Sequence, residues 1–279
     1  MESYSIAVVL IIIIFAAAVL YYKSQSLRKA YQGYVQQELE QVRPLAGTVL
    51  SVEDIEHLPQ PVQKYLAYTG VIGKEKAQFV RVVCEGRFRT DPQKGFFPMF
   101  TEQYNFFANP ARFYYIRLKM FGVPVVGVHA YKDAGASMLI KIASLFKVAE
   151  ARGEIMDQSE TVTILNDMCL FAPASLMDKR IKWETIDPLT VKATFTNNGI
   201  AVSALLYFNE KGEMINFISD DRYMTAPDGE FRRARWSTPI RDYRGFNGVK
   251  LVSYGEATWN LPEGDYCYIR INVKEVAFN

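Results

Sequence analysis

The sequence predicts an α+β protein, mainly antiparallel β: a strongly curved sheet or unclosed barrel with short helices on one face, preceded by one transmembrane helix. Three observations carry this. The chain has no charge between Glu2 and Lys23, a series of segments after Ala77 alternates apolar with polar residues, and their connections are short. Short connections force antiparallel neighbours, because a parallel pair needs a crossover of about a dozen residues or more.

Ile6 to Leu20 is an unbroken apolar run. As a helix, Ser3 to Tyr22 rises about 30 Å, the thickness of a bilayer's hydrocarbon core. Tyr21 and Tyr22 sit where an interfacial aromatic belt would sit, and Lys23 follows as the first charge. A cleaved signal would want a basic start and a small-x-small cleavage site. Here only Glu2 precedes the run, and Ala16, Ala17 and Ala18 lead into Val19, Leu20, Tyr21 and Tyr22. An uncleaved anchor is the favoured reading, with a cleaved signal and a buried helix as alternatives. Lys23, Arg28, Lys29 and Arg43 follow the run and no base precedes it, which by the charge rule keeps the remainder in the cytoplasm.

The expected organisation is an anchor over residues 1–22, a juxtamembrane amphipathic helix over 23–43, and a single curved antiparallel β domain over 44–279 with a helical insertion near 157–170. Leu27, Tyr31, Tyr34, Val35, Leu39 and Val42 recur at helical spacing, and Pro44 ends the pattern. That stripe either packs on the domain or forms a dimer seam. Ser51 can cap a short helix over Val52 to His57, with Glu53 and Asp54 in its first turn. Pro61 suits the first turn of another, which Gly70 stops.

From Ala77 the period becomes two, as in Val80-Arg-Val-Val-Cys-Glu-Gly-Arg-Phe. Similar runs fall near 99–107, 112–120, 125–132, 136–147, 180–187, 190–197, 200–208, 213–224, 230–238, 249–259 and 266–278. Between them stand Asp91-Pro92, Asn197-Asn198-Gly199, Lys211-Gly212, Asp228-Gly229 and Asn247-Gly248, all with turn chemistry. One helical stretch interrupts the series. Asp157 and Glu160 have capping-box spacing at its start, and Val162, Leu165, Met168 and Cys169 form its buried stripe. Such a sheet closes into a barrel or leaves a concave face for helices to cover, and that concavity is the natural ligand site.

The composition narrows the chemistry. A net charge of +2 with interspersed signs argues against a nucleic-acid surface. His57 and His129 are the two histidines, too few for a multi-histidine metal site. No Walker loop, dinucleotide fingerprint or nucleophile elbow is present, so no cofactor is expected. Cys84, Cys169 and Cys267 have neither a disulfide framework nor metal-ligand spacing.

Two polar clusters remain. Asp157, Glu160, Asn166 and Asp167 read as a helix cap plus solvated positions, or else line the mouth of a cavity as acid, base or cation ligand. In Asp220-Asp221-Arg222-Tyr223, a hairpin centred on Asp228-Gly229 sets Arg222 opposite Arg235, with Asp220 as the cross-strand partner. This is an ordinary ion network, or an anionic headgroup site made by Arg222, Arg233 and Arg235. Trp183, Trp236 and Trp259 lie within strand patterns, as core or as pocket lining. The residues expected to touch a ligand are Trp236, Trp259, Arg222, Arg235 and Asp157; none is assigned to catalysis, cofactor or metal.

Leu58-Pro-Gln-Pro-Val-Gln-Lys-Tyr-Leu, Met156-Asp-Gln-Ser-Glu, Asn166-Asp-Met-Cys, Trp236-Ser-Thr-Pro, Asp242-Tyr-Arg and Trp259-Asn-Leu-Pro-Glu-Gly-Asp together resemble a group of bacterial membrane-anchored proteins classed as a domain of unknown function. The resemblance covers most of Leu58 to Asn279 and brings no reaction and no site residues. More loosely, the architecture resembles the unclosed β-barrel with helical lid of bacterial lipoprotein and lipid carriers, which work outside the cytoplasm. That likeness is at the level of fold.

These features favour a membrane-tethered, non-enzymatic module. It would touch membrane lipid through residues 3–22 and hold a hydrophobic ligand such as a lipid or lipid-modified chain. The alternatives are a carboxylate-based hydrolase or isomerase using Asp157, Glu160, Asp167 or Asp220, and a membrane-bound scaffold for protein partners.

Overall fold

Alternating side chains make this chain a sheet, and the tight turns between strands decide its order. The computed structural model describes Phe15, Tyr21 and residues 25–43, 49–225 and 229–279. The predicted membrane span therefore lies, but for Phe15 and Tyr21, outside the described residues. Among the described residues no helix is long and apolar enough to cross a membrane.

Three helices come first: α1 (Ser26–Leu39), α2 (Val52–Ile55) and α3 (Gln60–Thr69). Six strands follow: β1 (Phe79–Phe88), β2 (Phe97–Phe106), β3 (Ala111–Met120), β4 (Val123–Lys132), β5 (Gly135–Ile142) and β6 (Phe146–Arg152). Helix α4 (Glu154–Phe171) and a 3₁₀ turn (Pro173–Met177) then lead to β7 (Ile181–Asp187), β8 (Thr190–Asn197), β9 (Ile200–Phe208) and β10 (Met214–Thr225). The chain ends with β11 (Phe231–Ser237), β12 (Ile240–Phe246), β13 (Val249–Leu261) and β14 (Gly264–Phe278).

All strands join one antiparallel sheet in the order β6-β5-β4-β3-β2-β1-β14-β13-β11-β10-β9-β8-β7, with β12 paired to β13. The last strand thus closes against the first in the middle, and among the described residues β6 and β7 end this path. Helix α4, about 27 Å long at 1.5 Å per residue, carries the chain from one edge back towards the other across the concave face. There it packs on β5, β9, β10 and β13.

The helix divides that concavity. Val162, Ile164, Leu165, Met168 and Cys169 enter the main core with α2, α3 and the β8–β9 and β12–β13 strands. Tyr65 of α3 donates a hydrogen bond to the Cys169 carbonyl at 2.6 Å. The other face of α4 looks towards β1–β6. On the outside of the sheet, Leu27, Tyr31 and Val35 of α1 cover Phe113, Tyr115, Val126 and Val128. The predicted stripe therefore packs on the domain. Strand β3 shows the period-two logic: Phe113 and Tyr115 face α1, while Arg112, Tyr114, Ile116 and Leu118 face inward.

The caps follow the sequence closely at α2 and α3. Ser51 and Asp54 form a reciprocal capping box, and Gly70 ends α3 at φ 70°. Elsewhere the structure corrects the expectation. The run 136–147 is two strands, β5 and β6, separated by a turn in which Ala143 and Ser144 adopt positive φ without glycine. Strand β12 is a further strand, short and polar on its exposed side. Helix α4 begins three residues early, after Gly153, so Asp157 is not its cap.

Two glycines offer a test of this packing. A Cβ at Gly86, between β1 and β14, would stand 2.1 Å from the Arg270 carbonyl oxygen, whereas Gly33 is exposed on α1 with open space around it. Gly86→Ala should lower stability by about 1–3 kcal/mol, and Gly33→Ala should raise it by about 0.5–1 kcal/mol. Chemical denaturation of the two variants checks both signs.

Candidate functional site: a largely apolar cavity beneath helix α4

Between the inward face of β1–β6 and α4 lies a cavity of about 660 Å³, within the size range of ligand clefts. Period-two alternation supplies its sheet wall: Ile116 and Leu118 from β3, Val125 and Gly127 from β4, Met138 and Ile140 from β5, Ala149 and Ala151 from β6. Helical spacing supplies the opposite wall, where Met156, Ser159, Glu160, Thr163, Asn166, Asp167 and Leu170 share one face of α4. The exposed side chains Ile155 and Phe231 stand on its border.

The polar part of the lining is an ion network. Arg112 donates from Nε to Asp167 Oδ2 at 2.7 Å and from Nη1 to Glu160 Oε2 at 3.2 Å. Gln103 completes it, giving Nε2 to Asp167 Oδ2 at 2.9 Å and accepting Arg112 Nη2 at 3.2 Å. His129 Nδ1 lies 3.7 Å from Glu160 Oε1, and Arg222 Nη2 lies 3.9 Å from the same oxygen. Arg112, Glu160 and Asp167 are all buried.

Burial and charge pull these acids in opposite directions. At Glu160 desolvation pushes upward, but His129 beside it and the positive charges of Arg112 and Arg222 outweigh it and hold the carboxyl at about 2. At Asp167 desolvation wins over Arg112, and the carboxyl is raised above its ordinary 3.8. Burial also pushes the Cys84 thiol up to about 12, which leaves it an inert lining group.

Arg222 is the second cation. Its guanidinium lies over the Trp236 ring at 4.2 Å and the Trp259 ring at 5.8 Å, and its Nε is buried without a hydrogen-bond partner. Trp236 donates from Nε1 to the Tyr268 hydroxyl at 3.2 Å, and Trp259 stacks on Tyr268 at 5.9 Å. The cation is thus held between the two indoles and Glu160, with its Nε enclosed by protein.

Of the residues singled out in the sequence, Trp236, Trp259 and Arg222 line the cavity. Arg235 does not: it is exposed and paired with Asp220 at 2.9 Å. The hairpin register explains this. A bulge between Ser219 and Arg222 sets Arg222 opposite Ala234, not Arg235, and Arg233 reaches out to Asp221. Asp157 is likewise outside, its Oδ1 accepting the Ala136 amide at 2.6 Å and tying α4 to β5. Glu160, Asn166 and Asp167 are buried lining residues, not solvated ones. Arg112 and Gln103 carried no sequence signal beyond their places on alternating strands. An arginine on the apolar-facing phase of β3 was the available hint.

Removing Arg112 would leave the buried Asp167 without a cation and Glu160 with only its longer contacts to Arg222 and His129. Arg112→Met should cost about 3–5 kcal/mol, and adding Glu160→Gln and Asp167→Asn should restore much of it; urea denaturation reads both. The pH dependence has a definite sign. Glu160, depressed in the fold, contributes fully above its ordinary 4.5 and loses that contribution as pH falls towards about 2. Asp167, raised, contributes with the opposite sign, fully below 3.8 and less as pH rises through its folded value. Glu160→Gln should therefore flatten the fall in stability between about pH 4.5 and 2, measured as unfolding free energy against pH.

No curated protein matches this chain. Among solved structures it is similar to an outer membrane lipoprotein-sorting protein domain from Vibrio parahaemolyticus, with 9% identity, TM-score 0.42, and 79% of this chain and 91% of that one covered. It is similar to a DUF1329 family protein from Desulfovibrio piger, with 8% identity, TM-score 0.43, and 78% and 92% covered. It is also similar to a LolA superfamily protein from Nitrosomonas europaea, with 10% identity, TM-score 0.36, and 78% and 93% covered. Residues 48–271 match a family of unknown function, and the chain belongs to that family, DUF6544.

Proposed function

We propose that this protein is a membrane-tethered, non-enzymatic binding module that holds an amphipathic apolar ligand, a lipid or lipid-modified chain, in the cavity beneath α4. The hollow itself carries this reading. A cleft of about 660 Å³ walled by Ile116, Leu118, Val125, Met138 and Ile140 removes apolar surface of a ligand from water. The polar part of the lining, with Arg112, His129, Glu160 and Arg222, suits a ligand with one polar terminus. The uncharged run Ser3 to Tyr22 supplies the tether as a single pass through the cell membrane, and the basic residues after it read the domain as cytoplasmic.

One observation favours a second reading. Glu160 and Asp167 converge on Arg112 inside the cavity, and two carboxyls pushed apart in pKa are the pattern of acid–base chemistry. Against it, both are locked by Arg112, and Glu160 near 2 is a poor base at neutral pH. Turnover of an ester or amide lipid that disappears in Glu160→Gln and Asp167→Asn would establish the enzymatic reading.

The binding reading is tested by filling the hollow. Ala149 lines it from the half-buried edge strand β6, where a larger side chain meets little backbone resistance. In the full chain, extracted in detergent and delipidated, Ala149→Trp should weaken uptake of a fluorescent fatty acid by about ten-fold, or about 1.4 kcal/mol, with an unchanged melting temperature. Native mass spectra showing that the unaltered protein takes up no lipid would refute it.

A further inference from the structure

Tight hairpins fix which ends of the strands share a side. In β1 to β6 the β1–β2, β3–β4 and β5–β6 turns stand at one end of the sheet, and the β2–β3 and β4–β5 turns at the other. The first end carries a set of uncovered apolar side chains. Phe121, at the tip of β3–β4, is 86% exposed, Phe146 at the start of β6 is 68% exposed, and Val123 and Ile142 are exposed beside them. Phe97 from the start of β2 meets Phe121 edge-on at 5.0 Å.

Phe121 is an expensive choice for folding. It occupies φ 50° in a two-residue turn with Gly122, a position that asparagine or glycine fills more cheaply, and its ring is almost wholly in solvent. Around the tips stand the exposed bases Lys94, Arg117 and Lys119. Of the acids at this end, Asp91 is turned back onto the Gln93 amide, Glu85 pairs with Lys274, and Glu263 and Asp265 stand apart at the β13–β14 turn. Exposed rings ringed by lysine and arginine match a surface of anionic lipid headgroups.

The direction of α1 gives independent support. Tyr31 packs on Tyr115 at 5.6 Å, Tyr34 on Phe113 at 5.7 Å, and Glu38 pairs with Lys132. Those partners descend from mid-strand to the β4–β5 end, so α1 runs away from the Phe121 tip and its N-terminus points towards it. The uncharged run Ser3 to Tyr22 precedes α1 in the sequence. The cavity reaches that end too, where Phe88, Leu118, Val125 and Ile140 line it together with Arg89 and Thr90 of the β1–β2 connection.

We propose that the β1–β2, β3–β4 and β5–β6 tips form a docking surface for an anionic bilayer, seated beside the membrane span so that this end of the cavity faces the lipid. A ligand would then pass between bilayer and cavity without crossing open water. The docking rests on exposed residues and chain direction; the passage of a ligand rests also on the reading of the cavity as a lipid site.

The test uses the full chain reconstituted in vesicles of phosphatidylethanolamine and phosphatidylglycerol. A nitrobenzoxadiazole label at Phe121→Cys should be quenched by spin-labelled lipid, and one at Asn109→Cys, in the β2–β3 turn, should not. The three native cysteines are buried. Equal quenching at both positions, or none at Phe121→Cys, overturns the docking. Phe121→Asp combined with Phe146→Asp should slow uptake of vesicle-borne fluorescent phospholipid by about ten-fold, while binding of a monomeric twelve-carbon lysophospholipid from solution stays unchanged. Undiminished uptake from vesicles overturns the passage. If the unaltered protein binds neither lipid, the cavity reading fails, and the quenching result decides the docking by itself.

Discussion

Arg112 reaches across from β3 to α4 and engages both Asp167 and Glu160, and the position of that helix determines what the concave face contains. A buried ion network of this kind is weak evidence for stability, since desolvating each charge costs several kcal/mol. Its effect is on geometry. The helix is apolar enough on its far face to enter the core with Val162, Leu165 and Met168. Nothing in that apolar contact alone would stop it from settling deeper against β1–β6. The bridges at the polar face tie it to β3 at the reach of an arginine side chain, and the cavity lies beside them.

The two halves of the trough are accordingly different materials. Under β8, β9, β12 and β13, side chains from α2, α3 and α4 interlock, and Tyr65, Phe195 and Phe217 have no solvent exposure. Under β1–β6 much of the same sheet faces α4 through Ser159, Glu160, Thr163, Asn166 and Asp167, with Met156 and Leu170, across a gap. Small residues widen that gap. Gly127, Ala149 and Ala151 stand where larger side chains would narrow it, and a Cβ at Gly127 would already press to 2.9 Å from Ile116. A fold selected only for stability would fill such a void, because each lost contact weakens the core.

Much of the sheet was legible because its alternation is strict and its turns carry glycine or asparagine, as at Asn198-Gly199 and Asn247-Gly248. The β5–β6 turn was hidden because Ala143 and Ser144 take positive φ without either residue, so two strands read as one. Strand β12 was hidden by its shortness and its exposed arginines. At the site, the two tryptophans and Arg222 stood out by residue type. The burial of Glu160 and Asp167 did not, since a carboxylate on a helix reads as solvated until the strand that brings its arginine is known. The bulge after Ser219 is equally a tertiary fact: it shifts the register by one residue, which sends Arg222 inward and leaves Arg235 outside.

The incomplete closure of the sheet has one more result. Strands β6 and β7 each end the ladder with unpaired backbone groups, the kind of border along which chains stack into fibres. Lys147, Glu150 and Arg152 on one border, and Lys182, Glu184 and Asp187 on the other, are all exposed. A second molecule aligning there would have to bury those charges, so self-polymerisation is discouraged while the trough stays unsealed.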